Sequence, residues 1–307
     1  GTEDMVNKSG ATYVAYLFAH NNDDGGFGEP GDQDIIKCGS LTVSSQATVD
    51  VNLGFEAQWV MLKHSSSTGN WFMFDVIRGM AVTGFEWLYA NTGDDAEVKT
   101  YQAVFPTATG FGFNPANNGQ LTDGTYIYMA IRRGGMQTPT TPSDVFKATA
   151  MSSSFLADTG FAVDLSIDTV RTSTGSNFVN DRLRGSGAYM NTDGATAEQT
   201  GGSRKFDSNQ GVLFETGDSS GFTGVNWAWK RARGYFDMVA YDGGISSTIN
   251  HNLGVAPEML WVKQRNGANS WRVFIPSLSG MLKLNESDAL DTSTVQNLFG
   301  NGSSIVA

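Results

Sequence analysis

Residues 52–74 open with Asn52-Leu53-Gly54-Phe55, continue through Trp59-Val60-Met61-Leu62-Lys63 and close on Trp71 and Phe74. The same pattern returns as Asn252-Leu253-Gly254-Val255, Met259-Leu260-Trp261-Val262-Lys263, Trp271 and Phe274, at a constant offset of 200 (253 − 53; 271 − 71). A gap-free match over that span marks an internal repeat, which governs how the rest of the chain is read. A more divergent copy lies between them at offset 106. There Gly160-Phe161 answers Gly54-Phe55, and Phe178-Val179-Asn180-Asp181-Arg182-Leu183-Arg184-Gly185 answers Phe72-Met73-Phe74-Asp75-Val76-Ile77-Arg78-Gly79. Three copies are present.

Weaker echoes follow each copy. Tyr89-Ala90-Asn91-Thr92 with Ala96-Glu97 is matched to Tyr189-Met190-Asn191-Thr192 with Ala197-Glu198, and to Leu284-Asn285 with Ala289. Each module is expected to close on an alternating aromatic strand, Thr125-Tyr126-Ile127-Tyr128-Met129-Ala130 or Asn226-Trp227-Ala228-Trp229-Lys230-Arg231, with its rings facing the core. Thr12-Tyr13-Val14-Ala15-Tyr16-Leu17-Phe18 reads as the same strand of an earlier copy, so the sequence is expected to be a piece of a longer polypeptide.

Composition shifts place the module edges. Residues 1–30 are read as the end of a preceding module plus a linker, within a Gly/Asp-rich stretch over 21–32. Residues 31–136 form a β module, 137–147 a Thr/Pro linker, 148–234 a divergent β module and 235–307 the first part of another. No linker separates Gly234 from Tyr235, so the third copy is expected to pack tightly against the second. Short apolar runs such as Phe236–Tyr241 and Met259–Lys263 predict strands, and Ser287–Leu298 is the one stretch that could form a helical turn or two. The predicted fold class is all-β, with tandem β-sandwich modules of jelly-roll or lectin-like type in series.

Charge narrows the function. Against 20 Lys+Arg stand 31 Asp+Glu, a net of −11, with no basic run to neutralise phosphates, so nucleic acid is not an expected partner. No apolar window of transmembrane length occurs, and Gly1-Thr2-Glu3-Asp4 does not open a secretory leader, which predicts a soluble chain without membrane insertion. A single Cys38 excludes an internal disulfide framework and any cysteine-based zinc site, while His20, His64 and His251 lie far apart in sequence. No cofactor is expected.

Candidate chemistry is sparse. The Asp-x-x-Arg-Gly pairs Asp75/Arg78 and Asp181/Arg184 are read as structural ion pairs pinning a turn after a strand; Ile275 and Leu278 stand at those positions in the third copy. Asp94, Asp95 and Glu97, or Glu286 and Asp288, are loop acids of the kind a glycosidase would need, but loop acids are plentiful here. Residues 22–34 have a calcium-loop composition without EF-hand spacing. Trp71, Phe85 and Trp87 are candidate contacts for a receptor or glycan, whereas Trp71 and Trp271, at equivalent positions, are expected in the core. His251 is read as a surface or turn residue. No phosphate loop, nucleophile elbow or zinc-protease motif occurs, and the chain is not expected to be an enzyme.

Three segments carry a resemblance: residues 10–21 (Gly-Ala-Thr-Tyr-Val-Ala-Tyr-Leu-Phe-Ala-His-Asn), residues 31–40, and Tyr235–Tyr241 running into His251–Glu258, with Trp227–Ala232 as a further piece. They resemble a β-rich tandem module of tail-fibre and virion structural proteins of marine bacteriophages, notably those infecting cyanobacteria. The resemblance implies a non-enzymatic virion component, a tail fibre or appendage involved in host attachment. It implies as partners other virion proteins, a host surface glycan or protein, and other copies of the chain, with a trimer expected by analogy with fibres. It carries over no catalytic or receptor-binding residue. Capsid decoration or a head fibre, a glycan-binding host-recognition module, and a polysaccharide depolymerase tailspike are the alternatives.

Overall fold

The computed structural model describes residues 8–18, 34–99, 101–115, 120–134, 138–151, 156–171, 174–214, 223–243, 248–293 and 304–306. Among them the chain is almost entirely β, with several antiparallel sheets and only two single-turn 3-10 helices, Pro142–Asp144 and Pro276–Leu278. The Gly/Asp stretch over 21–32 and the tail of the 287–298 segment lie outside the described residues; the described part, 287–293, is not helical.

The first unit contains β1 (Ile36–Val43), β2 (Val49–Asn52), β3 (Ala57–His64), β4 (Trp71–Asp75), β5 (Phe85–Tyr89), β6 (Glu97–Lys99), β7 (Val104–Thr107), β8 (Gly110–Phe113) and β9 (Gly124–Arg132). They form a six-stranded sheet, β1-β9-β3-β4-β5-β6, and a three-stranded sheet, β2-β8-β7. One apolar core joins them, with Val60, Leu62, Phe72, Phe74, Trp87 and Tyr126 from the large sheet and Val104, Phe111 and Phe113 from the small one. The strands alternate as a two-faced sheet requires: in β3, Val60, Leu62 and His64 are buried while Trp59, Met61 and Lys63 are half-buried on the other face.

The second unit repeats this topology. Its strands are β10 (Phe146–Met151), β11 (Leu156–Asp158), β12 (Leu165–Val170), β13 (Phe178–Asp181), β14 (Met190–Asn191), β15 (Arg204–Lys205), β16 (Gly211–Phe214) and β17 (Gly224–Trp229). They assemble as β10-β17-β12-β13-β14 and β11-β16-β15, the orders of the first unit without a β6 equivalent. Equivalence extends to single atoms. An added Cβ at Gly110 would lie 1.7 Å from the Val51 carbonyl oxygen, and one at Gly211 would lie 2.1 Å from that of Ala157, so both units need glycine where the small sheet's central strand begins.

The third unit holds β18 (Thr248–Asn250), β19 (Leu260–Val262), β20 (Arg272–Phe274), β21 (Met281–Lys283) and β22 (Ser304–Val306). β19 pairs with β20 as Leu260–Phe274, Trp261–Val273 and Val262–Arg272, the register of Val60–Phe74, Met61–Met73 and Leu62–Phe72 displaced by 200. Gly54, Gly160 and Gly254 share one left-handed backbone conformation, each with φ +78°, so one turn opens all three units.

Several sequence expectations need correction. Phe236–Tyr241 alternates like a strand yet forms none. Its equivalent, β1, is hydrogen-bonded only to β9, and β19 has no β9-type neighbour among the described residues. In β17 the rings do not face the core: Ala228 and Asn226 are buried inward, while Trp227 and Trp229 lie on the outer face. The register explains this. Leu165 pairs with Trp229 as Trp59 pairs with Ile131, so Trp227 and Trp229 correspond to Met129 and Ile131, one position out of phase with Tyr126 and Tyr128. Phe178 pairs with Asn191 where Phe72 pairs with Tyr89, so the sequence match of Asn91 with Asn191 is out by two. Asp193 is the true counterpart: Asn91, Asp193 and Asn285 each accept a backbone N–H bond, from Trp71, Asn177 and Trp271. Thr12–Phe18 is exposed and belongs to no strand, with Leu17 90% exposed.

Candidate functional site

Several buried charged side chains gather at the joints between units. In the first unit, Asp75 caps its own turn: Oδ1 accepts from the Arg78 backbone N–H at 2.8 Å and Oδ2 meets Arg78 Nε at 2.5 Å. Asp181 and Arg184 repeat these bonds in the second unit, with the backbone contact again 2.8 Å. The two copies differ in their surroundings. The second turn is buried, and it holds both neighbours. Its Leu183 and Arg184 carbonyls accept from Val82 N–H and Thr83 Oγ1 of the first unit. On the other side, Glu198 receives Arg184 Nη1 at 3.5 Å and both Arg265 Nε and Nη2 of the third unit, at 3.0 and 2.9 Å.

A second cluster sits where all three units meet. Arg231, just after β17, donates Nη1 to Glu56 Oε1 and contacts Oε2 through Nη2, both at 2.8 Å, and its Nε meets Asp237 at 2.5 Å. Arg133, just after β9, donates Nη2 to both oxygens of Asp164 at 2.8 and 2.7 Å, and Arg231 N–H reaches Asp164 at 2.7 Å. Arg182 lies 3.7 Å from Asp164 and donates to the Val163 and Phe206 carbonyls. Three guanidinium groups therefore face three carboxylates, Glu56, Asp164 and Asp237, a neutral set in a buried place. Burial alone lowers the Arg231 pKa, but Glu56 and Asp237 more than reverse this and raise it, so the guanidinium keeps its charge. Asp237 Oδ2 also accepts from Asn252 N–H, and Asn252 Nδ2 reaches the Ala108 carbonyl, tying the third unit to the first.

A cavity of about 160 Å³ opens beside this cluster, lined by Glu56, Thr107, Leu183, Arg231, Met238 and Ile249 among others. Its two charged wall residues already pair with each other, so neither offers an unengaged group to a ligand. His251, read as a surface or turn residue, sits at the turn, where its Nδ1 accepts from Leu253 N–H, but is buried rather than on the surface; its Nε2 is buried with no partner among the described residues.

The third unit also covers the second by apolar contact. Trp271, 6% exposed, packs with Ile167, Val179 and Met190 of the second unit, flanked by Leu165, Trp227, Trp229 and Leu284, and donates Nε1–H to the Asn191 carbonyl at 2.7 Å. Its counterpart Trp71 is only half-buried. Trp87 is fully buried against Phe72, Phe74 and Tyr89 and presents no ring to solvent, which corrects its reading as a glycan contact. Phe85 lies in β5, and its side chain falls outside the described residues.

Three of the candidate acids, Glu97, Glu286 and Asp288, are engaged by lysines. Glu97 bonds Lys99 and the Tyr89 hydroxyl, and Glu286 and Asp288 both bond Lys283. These contacts lower the pKa of Glu97, through Lys99 first, and of Glu286, through Lys283 first. A general acid needs the opposite shift. Among the described residues no group of three or more His, Cys, Asp or Glu side chains could hold a metal ion, and no helix is long and apolar enough to cross a membrane.

A family model described as a domain of unknown function (DUF7483) matches residues 1–133 and 141–306, so the chain belongs to that family. No curated protein matches the chain, nor does any solved structure.

Proposed function

We propose that this member of the DUF7483 family is a non-enzymatic structural component of a bacteriophage virion, a tail fibre or appendage that takes part in host attachment. The observation that carries the structural half is how the ionic side chains are used. Glu56–Arg231, Arg133–Asp164 and Glu198–Arg265 run between units, and the Asp-x-x-Arg turn of the second unit grips both neighbours. Residues that would carry chemistry in an enzyme here join repeated two-sheet units, which suits a protein that transmits force or spaces binding sites. The virion half rests on the resemblance of residues 10–21, 31–40, 227–232 and 235–258 to marine phage fibre modules. Other copies of the chain and other virion proteins are the partners this reading requires.

Cryo-electron microscopy of the intact particle, with density traced for this chain, tests the reading. Copies projecting from the tail are the expected result. Copies lying flat on the capsid would make it a decoration protein, and absence from the particle would overturn the virion assignment.

A further inference from the structure

Two separate parts of the chain are complementary as strands. In the first unit β9 lies between β1 and β3, and in the second β17 lies between β10 and β12. In the third unit β19 pairs with β20 on one side and, among the described residues, with no strand on the other. Phe236–Tyr241, the counterpart of β1, belongs to no strand either. The core of the third unit is correspondingly open. Val60 and Leu62 are fully buried in β3, whereas Leu260 and Val262, at offset 200, are half-buried, and Val255 is 49% exposed where Phe55 is buried.

Thr12–Phe18 has the residues of such a closing strand. Thr12-Tyr13-Val14 repeats Thr125-Tyr126-Ile127 (125 − 12 = 113), and at the same offset Tyr16, Leu17 and Phe18 fall on Met129, Ala130 and Ile131. The β17 residues at those positions are Trp227, Ala228 and Trp229, so aromatic Tyr16 and Phe18 match the outer-face tryptophans. The segment nevertheless stands exposed and outside every strand. An open strand edge and an exposed alternating apolar segment are the two halves of β-strand addition.

We propose that Thr12–Phe18 of one copy of the chain inserts between Phe236–Tyr241 and β19 of a second copy and completes its third unit. The β1-β9-β3 register sets the pairing. Phe18 lies opposite Phe236 and Met259, Leu17 opposite Asp237 and Leu260, and Tyr16 opposite Met238 and Trp261. Leu17 faces inward beside Leu260, as Ala130 does beside Val60. Phe18 and Phe236 repeat the Phe146–Trp229 ring contact of the second unit. Trp261, 45% exposed, gains Tyr16 as a cross-strand aromatic neighbour. Within one chain the segment stays outside the sheet, so the donor is another copy. The rings of Tyr13, Tyr16 and Phe18 are all more than half exposed, and at about 150–250 Å² each they have roughly 300 Å² or more to bury. Val14, Leu17 and the backbone bring the donor toward the ~800 Å² that one partner gives a standard interface. Donor and acceptor are different surfaces, so copies join head to tail into rings or filaments rather than a two-fold dimer. The inference does not rest on the virion assignment.

The test is sedimentation of the full chain from about 1 to about 500 µM, beside Leu17→Glu. The chain is expected to associate beyond a dimer as concentration rises, and Leu17→Glu to move the midpoint upward by at least about tenfold. Leu17 is already exposed, and an unchanged melting temperature at the lowest concentration establishes that the variant folds. Disulfide trapping identifies the contact. With the exposed Cys38 replaced by Ser, separate Tyr16→Cys and Trp261→Cys chains should link when mixed, and Tyr16→Cys mixed with Val98→Cys, an exposed site of the first unit, should not. A monomer at every concentration, association indifferent to Leu17→Glu, or a Tyr16→Cys/Trp261→Cys chain that links to itself as a monomer would each overturn the proposal.

Discussion

Arg231 and Glu56, 175 residues apart in sequence, face one another with two contacts of 2.8 Å at the point where the three units meet. Both side chains are buried, at 3% and 9% exposure, so neither charge has water as an alternative partner. Replacing Arg231 with Met removes one of three positive charges and leaves Glu56 and Asp237 without their closest partner. The expected loss is about 3–5 kcal/mol of stability, measured by urea unfolding. A Glu56→Gln/Arg231→Met double mutant should recover part of that loss. Strict additivity of the two single changes would show that the pair is not coupled.

Trp71 and Trp271 occupy the same repeat position but should respond differently to truncation. Trp271→Ala opens a cavity between the second and third units and strands the Asn191 carbonyl, at an expected cost of about 3–5 kcal/mol. Trp71→Ala acts on a half-buried ring and should cost roughly half as much or less. Equal shifts in thermal melts would contradict the uneven covering of the two faces.

Gly110→Ala and Gly211→Ala each drive a methyl group into a backbone carbonyl that cannot rotate away. Each should destabilise by about 1–3 kcal/mol. Gly69→Ala, at a site with open space around it, serves as the control and should be close to neutral. Chemical denaturation of the three variants decides the point.

Alkaline pH should weaken the first unit through Tyr89. Burial, reinforced by the bond from its hydroxyl to Glu97 Oε1 at 2.8 Å, pushes the phenol up from 10 to about 12. In that interval the folded chain keeps a proton that the unfolded chain has lost. The stabilisation is therefore whole below pH 10 and disappears as pH rises through about 12. Tyr89→Phe should flatten the pH dependence of the unfolding midpoint over that window; an unchanged slope would mean that another group governs it.

Much of this architecture was legible in the residues. The 200-residue offset between Leu53 and Leu253 forecast the register of β19 with β20, because a strand pair is specified by which side chains alternate inward. The Asp-x-x-Arg spacing forecast a local turn, since three residues bring a carboxylate back to its own chain. Face was harder to read than strand. Tyr126-Ile127-Tyr128 and Trp227-Ala228-Trp229 have the same alternation but opposite phase, and periodicity carries no sign until a partner strand fixes it. A strand likewise needs a neighbour, which is why Phe236–Tyr241 alternates without becoming one.

The sequence by itself determined that three copies of one β unit are present and where their turns and local ion pairs fall, because these depend on residues close together in the chain. Only the tertiary structure decided which charges are shared between units and which apolar face is covered. Glu56 with Arg231, and Trp271 on Ile167 and Val179, are joined by how whole units pack, and no local spacing encodes the distance between residues that meet only after folding.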